Sequence, residues 1–295
     1  MNDDIKIGQV NVKTILTKSN LPIAGYSINP YVGCTHACKY CYACFMKRFT
    51  GHDERWGTFL DVKYWQDIKN PQKYDGKTMI VGSVTDAYNP QEEQFCRTRT
   101  FLEQMQGSKI NLIITTKSDL VLRDLDLIKN FPDPLVSWSI NTLDENFKDD
   151  MDKAVSIERR ISAMKKCHEA GIRTTCFISP IFPGITEVFD IIERIKDFCD
   201  YIWLENLNLR GNFKSDIMQY IAEKYSHLLP LYKQIYNQND KTFWEILDKQ
   251  VAEYARQNSL MYVVDKEPFL HNPTGKPIII NYFYHSEIKQ SAKSK

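Results

Sequence analysis

From residue 78 to about residue 205, short apolar runs rich in branched side chains alternate with stretches whose apolar residues recur every three or four positions. That alternation predicts repeated strand and helix units on a parallel sheet. Strands are expected at residues 78–82, 110–115, 135–140, 173–179 and 201–205, and helices at 92–106, 120–130, 157–170 and 187–198. In the third helix, Ile157, Ile161 and Met164 share one face, and Gly171 stands where a helix C-cap belongs. A first strand at 26–29 brings the count to about six βα units. The pattern therefore predicts an α/β fold of the partial (β/α)6 TIM-barrel type, open at one side.

Beyond residue 206 the pattern changes, with helical spacing over 217–236 and 242–257 and a strand at 260–264. Trp244, Leu247, Val251 and Tyr254 would share one helix face. The expected organisation is an N-terminal segment 1–25, a barrel 26–206, a mostly helical C-terminal cap 207–290 and a polar tail 291–295.

Composition narrows the function classes more than it names one. The 43% hydrophobic and 25% charged fractions are those of an ordinary globular chain, and 38 basic against 37 acidic residues give no global attraction for nucleic acid or acidic membranes. No apolar run approaches the roughly 20 residues that span a bilayer, and the first residues lack a signal-peptide core. A cytoplasmic protein without a membrane role is expected.

Of eight cysteines, four fall between Cys34 and Cys44, and the chain is long enough to need no disulfide staples. The segment Asn29-Pro30-Tyr31-Val32-Gly33-Cys34-Thr35-His36-Ala37-Cys38-Lys39-Tyr40-Cys41-Tyr42-Ala43-Cys44 follows the first expected strand. Barrel folds place their chemistry on loops at that end of the strands. Three thiolates from Cys34, Cys38 and Cys41 can hold a metal centre that keeps one position open. The competing reading is structural zinc on four thiolates, with Cys44 as the fourth and His36 as a further candidate. Zinc modules usually space their cysteines as two separated pairs, whereas this run is one crowded stretch.

The spacing CxxxCxxC, with Tyr40 just before the third cysteine, resembles the signature of the radical S-adenosylmethionine (SAM) superfamily. The resemblance implies a [4Fe–4S] cluster on Cys34, Cys38 and Cys41, with SAM on the open iron. It also implies reductive cleavage of SAM to a 5′-deoxyadenosyl radical that abstracts hydrogen. Further elements between about residues 26 and 205 resemble the spore photoproduct lyase branch. Ser83-Val84-Thr85-Asp86 resembles the element at the SAM amino group, and Lys117 after Thr115-Thr116 resembles the lysine at its carboxylate. Ser139 in Trp138-Ser139-Ile140-Asn141 and Arg160 in Glu158-Arg159-Arg160 match two further SAM contacts, and Tyr40 belongs to the same set. Taken singly, Thr-Asp is also a common turn and Lys or Arg a common surface residue. A flavodoxin or ferredoxin is the implied electron donor, and a partner protein is an open possibility.

The chain also departs from that branch. Val84 stands where the lyase keeps its hydrogen-donating cysteine, and Cys96, Cys176 and Cys199 are the conceivable replacements. Tyr40 and Tyr42 occupy the positions of two relay tyrosines and are the candidate catalytic residues. Pro180, Pro183 and Gly184 resemble the stretch beside adenine, and Glu205 and Asn206 can face substrate or adenine. Nucleic-acid repair or modification is the alternative function; Lys47, Arg48 and Lys63 with Phe45 and Phe49 are its candidate contacts.

Overall fold

The computed structural model describes residues 5–21, 23–209, 213–264 and 275–283; the expected tail and parts of the expected cap lie outside the described residues. The chain divides into two compact units: residues up to Trp138 with Lys148–Thr174, and Ser139–Phe147 with the residues from Thr175 onward. Both are built on a mixed α/β plan dominated by parallel strand pairs.

The first unit runs through β1 (Lys6–Asn11), β2 (Leu16–Lys18), β3 (Tyr26–Ile28), β4 (Tyr31–Val32), β5 (Phe59–Tyr64) and β6 (Thr78–Val81). Helices α1 (Glu92–Phe95) and α2 (Arg97–Gln104), strand β7 (Asn111–Thr116), helix α3 (Leu125–Ile128) and strand β8 (Leu135–Ser139) follow. After α4 (Glu145–Met151), which crosses the boundary between the units, α5 (Ile157–Glu169) completes the set. β3, β6, β7 and β8 pair in parallel in that order, β2 adds an antiparallel edge to β3, and β1, β5 and β4 form a separate small sheet. Met79, Ile80 and Val81 of β6 and Leu112, Ile113 and Ile114 of β7 are all buried. Such unbroken apolar runs belong to parallel strands covered on both faces.

The second unit contains β9 (Arg173–Ile181), α6 (Val188–Ile195), β10 (Tyr201–Asn206), α7 (Phe213–Lys224), α8 (Leu229–Asn237), α9 (Thr242–Gln257), β11 (Met261–Val264) and β12 (Ile278–Asn281). Its strands pair in parallel in the order β9-β10-β12-β11. Helix α9 buries Trp244, Leu247 and Val251, each contributing about 1.5–3 kcal/mol by leaving water. Its Asp248 is tied to the sheet by Asn281 Nδ2 at 2.5 Å and by the Tyr262 hydroxyl.

Differences from the expected elements have local causes. The helix at 92–106 is interrupted at Cys96, whose φ of +51° turns the chain between α1 and α2. The helix at 217–236 is divided because Pro230 lies in the first turn of α8, where it cannot donate to a preceding turn. The stretch 120–130 opens as a 3-10 turn, Leu120–Asp124, before α3. β1, β5 and β12 were not expected; β12 follows a Pro/Gly-rich stretch and reads as too short a run to stand alone. Among the described residues no helix is long and apolar enough to cross a membrane.

Candidate metal and cofactor site

The cysteine loop is clamped on both sides by glycines. Gly33 has φ +88°, and a Cβ there would lie 2.4 Å from the Phe59 carbonyl oxygen. Thr85 donates to the Gly33 carbonyl at 2.5 Å. On the other side Gly57, at φ +100°, lies so close to Ala37 that an added Cβ would meet the Ala37 Cβ at 2.5 Å. The loop's backbone is fastened at two further points: Lys39 N–H donates to the Met151 carbonyl at 2.9 Å, and Lys153 N–H to the His36 carbonyl at 2.7 Å. Gly57→Ala is expected to cost on the order of 1–3 kcal/mol from backbone strain, with the clash at Ala37 adding to it. Chemical denaturation and the iron content after reconstitution measure the two consequences, and both should fall.

This loop brings the three thiols into mutual electrostatic range. Burial pushes the Cys34 thiol up to about 12, with the Asp86 charge and Cys41 adding to the effect. Burial also pushes Cys38 well up, opposed by the Lys117 ammonium, and raises Cys41, where the Ala43 N–H and Lys117 oppose it. Thiols held neutral by burial ionise when a soft metal supplies the positive charge. Among the described residues, no three His, Cys, Asp or Glu side chains converge at the spacing of one metal ion. Cys44 lies on the 3-10 helix Tyr42–Phe49, partly exposed and within electrostatic range of Cys41.

Asp86 organises the neighbouring strand ends. Its carboxylate accepts from Lys117 N–H at 2.7 Å, Thr116 Oγ1 at 2.8 Å and Tyr88 N–H at 2.9 Å. Burial works against its charge, yet His36 and these donors hold the carboxyl down at about 2. His36 Nε2 lies 3.0 Å from Asp86 Oδ2, out of line for a hydrogen bond. His36, a further candidate ligand in the zinc reading, is buried inside the cysteine loop. The Asp86 bonds also fix the backbone of Lys117, whose half-buried ammonium stands 5.8 Å from the Tyr40 ring centre.

Beneath Tyr40 lies a buried carboxylate that sequence reasoning missed. Tyr40 donates to Asp152 Oδ2 at 3.2 Å, and Arg160 Nη2 donates to Asp152 Oδ1 at 2.7 Å. Arg160 Nε also donates to the Val155 carbonyl at 2.9 Å. Burial and the Asp152 charge push the Tyr40 phenol well up. Arg160 thus reaches the cysteine loop through Asp152 and Tyr40. Asp152 carries no motif, and only an aspartate preceding the Ser156 N-cap of α5 marks its place in the sequence.

The remaining candidates fall elsewhere. Ser139 ends β8, half-buried, and groups with the second unit, where Ile140 N–H donates to the Phe177 carbonyl and Asn141 Nδ2 to the Pro180 carbonyl. Tyr42 is 62% exposed, its hydroxyl donating to the Ser83 carbonyl. Ser83 itself accepts from Asn29 Nδ2 at 3.0 Å. Cys176 shares a sheet face with Ile202 and Ile279, the face that carries Asn281 toward α9, and its N–H donates to Cys199 Sγ at 3.2 Å. Among the nucleic-acid candidates, Arg48 lies over the exposed Phe45 and Phe49 rings, Lys47 donates to the Asp53 carbonyl, and burial lowers the Lys63 ammonium.

Comparison with known proteins places the chain in a family. An uncharacterized protein of Methanocaldococcus jannaschii is 39% identical over 229 residues, covering 76% of this chain and 87% of its own. An uncharacterized protein of Acidianus two-tailed virus is 29% identical over 246 residues, covering 76% and 80%. Among solved structures, a spore photoproduct lyase variant with bound AdoMet and dinucleoside spore photoproduct matches with a TM-score of 0.54 at 16% identity, over 72% of this chain and 65% of the lyase. That likeness concerns the fold, and it leaves about a third of the lyase uncovered. The sequence model of the radical SAM superfamily matches residues 28–199, a span that holds the cysteine loop, Asp86, Lys117 and the Tyr40–Asp152–Arg160 chain. With more than half its length inside that match, the chain belongs to the radical SAM superfamily.

Proposed function

We propose that this chain binds a [4Fe–4S] cluster through Cys34, Cys38 and Cys41 and uses it to cleave SAM for hydrogen abstraction from a substrate. The observation that carries the reading is the set of three thiols on one clamped loop, Cys34 buried and Cys38 and Cys41 half-buried, in electrostatic range of one another and, for two of them, of the Lys117 ammonium. The single crowded run of cysteines, unlike the two separated pairs usual for zinc, favours an iron–sulfur cluster. When bound and reduced by one electron, the cluster supplies the 5′-deoxyadenosyl radical from SAM. A flavodoxin or ferredoxin is the proposed donor of that electron. The strand order within each unit supports a partial barrel as the frame.

The residues divide the remaining work. Lys117, half-buried and fixed by its own N–H on Asp86, is the proposed partner of the SAM carboxylate. Thr85 and Asp86 hold Gly33, Thr116 and Lys117, so they shape the end of the pocket that receives the amino group. Tyr40 packs against that pocket and Arg160 acts through Asp152. Ser139 is assigned to SAM on the resemblance of its Ser-Ile-Asn element. Tyr40 and Tyr42 remain the candidates for radical transfer.

The test is anaerobic reconstitution with iron and sulfide, reduction, addition of SAM, and detection of 5′-deoxyadenosine by chromatography and mass. Its formation supports the reading; stoichiometric zinc with no iron uptake overturns it. Lys117→Ala should retain the cluster and weaken SAM binding by about 1.5–3 kcal/mol, roughly ten- to hundredfold, because it removes a charge-assisted bond. Calorimetry reads this directly, and unchanged affinity removes Lys117 from the site.

A further inference from the structure

One sheet face in the second unit carries polar groups that the fold leaves unmatched. The β9–β10 register sets Thr175 beside Tyr201 and Phe177 beside Trp203, and β12 continues the face to Tyr282. Side chains alternate along each strand, so the opposite face carries Cys176 and Leu204 and turns toward α9. On the first face, Trp203 is 8% exposed and Thr175 3%, yet Trp203 Nε1 and Thr175 Oγ1 have no hydrogen-bond partner. A buried unpaired donor costs about 1–3 kcal/mol, and a folded chain keeps such a group where something else completes it.

The surroundings say what that is. Phe177 meets the Trp203 ring edge-on at 6.1 Å and 88°, and Tyr282 lies 5.7 Å away on a ring tilted by 33°. Both are half-buried, so the rings are not sealed in a core. Two residues further along β10, where its pairing with β9 shifts register, Glu205 accepts from the Ser179 hydroxyl. The face thus offers flat aromatic surface, an indole N–H that needs an acceptor, and, one strand step beyond, a carboxylate that takes donors.

We infer that this face binds a nucleobase carrying a ring carbonyl beside a ring N–H, the edge presented by uracil, thymine and guanine. The carbonyl accepts from Trp203 Nε1–H, the ring N–H donates to Glu205, and the ring plane lies against Phe177 and Tyr282, the way proteins read an unstacked base. Adenosine has no ring carbonyl, and cytidine, whose N1 bears the sugar, has no ring N–H beside its carbonyl. The inference gives a substrate class to the radical SAM reading and rests on it only for the chemistry performed on the bound ring.

The test uses the full chain, anaerobically reconstituted, with saturating SAM so that the adenine of SAM already occupies its own place. Equilibrium dialysis measures uridine, guanosine, adenosine, cytidine and an eight-residue oligouridylate. Uridine or guanosine should bind at least tenfold more tightly than adenosine and cytidine, and Trp203→Phe and Glu205→Gln should each lose at least tenfold while keeping iron content and near-ultraviolet circular dichroism. Tighter oligouridylate, with the same losses, identifies a polynucleotide as the source of the base; binding no tighter than uridine identifies a free nucleoside. Absence of binding by uridine, guanosine and the oligomer, equal binding of all four nucleosides, or displacement by SAM overturns the inference. Because 5′-deoxyadenosine formation is measured on the same preparation, its absence marks failure of the radical SAM reading instead.

Discussion

Replacing Cys38 by alanine should abolish stable cluster binding and, with it, all detectable formation of 5′-deoxyadenosine. Cys38 stands between its two partners in the loop, and its sulfur interacts electrostatically with Cys34, Cys41 and Lys117. Removing it leaves two thiols for a cluster that needs three, and no other cysteine in the described residues is placed to take over. Cys44, partly exposed on the 3-10 helix, is in electrostatic range of Cys41. Iron and sulfide analysis and the electron paramagnetic resonance of the reduced protein provide the readout. The backbone bonds of Lys39 and Lys153 do not involve the Cys38 side chain, so far-ultraviolet circular dichroism should be preserved. Cys44→Ser is the matched comparison and should keep its iron. Iron retained by the alanine variant would remove Cys38 from the ligand set and overturn the assignment; iron lost by the serine one would return the four-thiolate reading to the front.

Much of the candidate site was legible because the proposed metal ligation and cofactor capture draw on residue types whose spacing is set locally. Cys34, Cys38 and Cys41 come from one loop, and Asp86 and Lys117 from the ends of strands whose apolar runs are plain in the sequence. The parallel strands β6 to β10 were legible for the same reason, since burial on both faces leaves a continuous apolar signal. What escaped depends on contacts between distant segments. Nothing near His36 announces that Asp86, fifty residues on, will draw it inward. Gly57 is an unremarkable glycine until the fold lays it on Ala37. The orphaned Trp203 indole reads as a core tryptophan in a hydrophobic strand; only the strand register shows that its face carries polar groups and half-buried rings. Arg160 is the intermediate case: its motif was visible, but the buried carboxylate it pairs with was not.

That carboxylate supports the other large effect. The Arg160 and Asp152 side chains are 0% and 1% exposed, and their bond at 2.7 Å links α5 to the segment that carries Tyr40's acceptor. Asp152→Ala removes one half of a buried ion pair and leaves a guanidinium in low dielectric, which should destabilise the fold by about 3–5 kcal/mol. For a chain of this size that lowers the melting temperature by on the order of 10 °C. Burial works against the charged form of Asp152, but Arg160, Lys117 and the Ala154 N–H hold its carboxyl below the ordinary range. A carboxyl with a depressed folded pKa contributes stability that is fully present above its unfolded value near about 4 and is lost as pH falls through the folded value. The wild-type chain should therefore lose stability below about pH 4 more steeply than Asp152→Asn, which has no such charge to titrate. The double variant Asp152→Ala/Arg160→Met decides the cause. If the stranded charge is what destabilises, removing both partners should recover a large part of the loss. If the double variant is as unstable as the single one, the packing around Tyr40 is responsible, and the ion pair serves to hold that phenol against the cysteine loop.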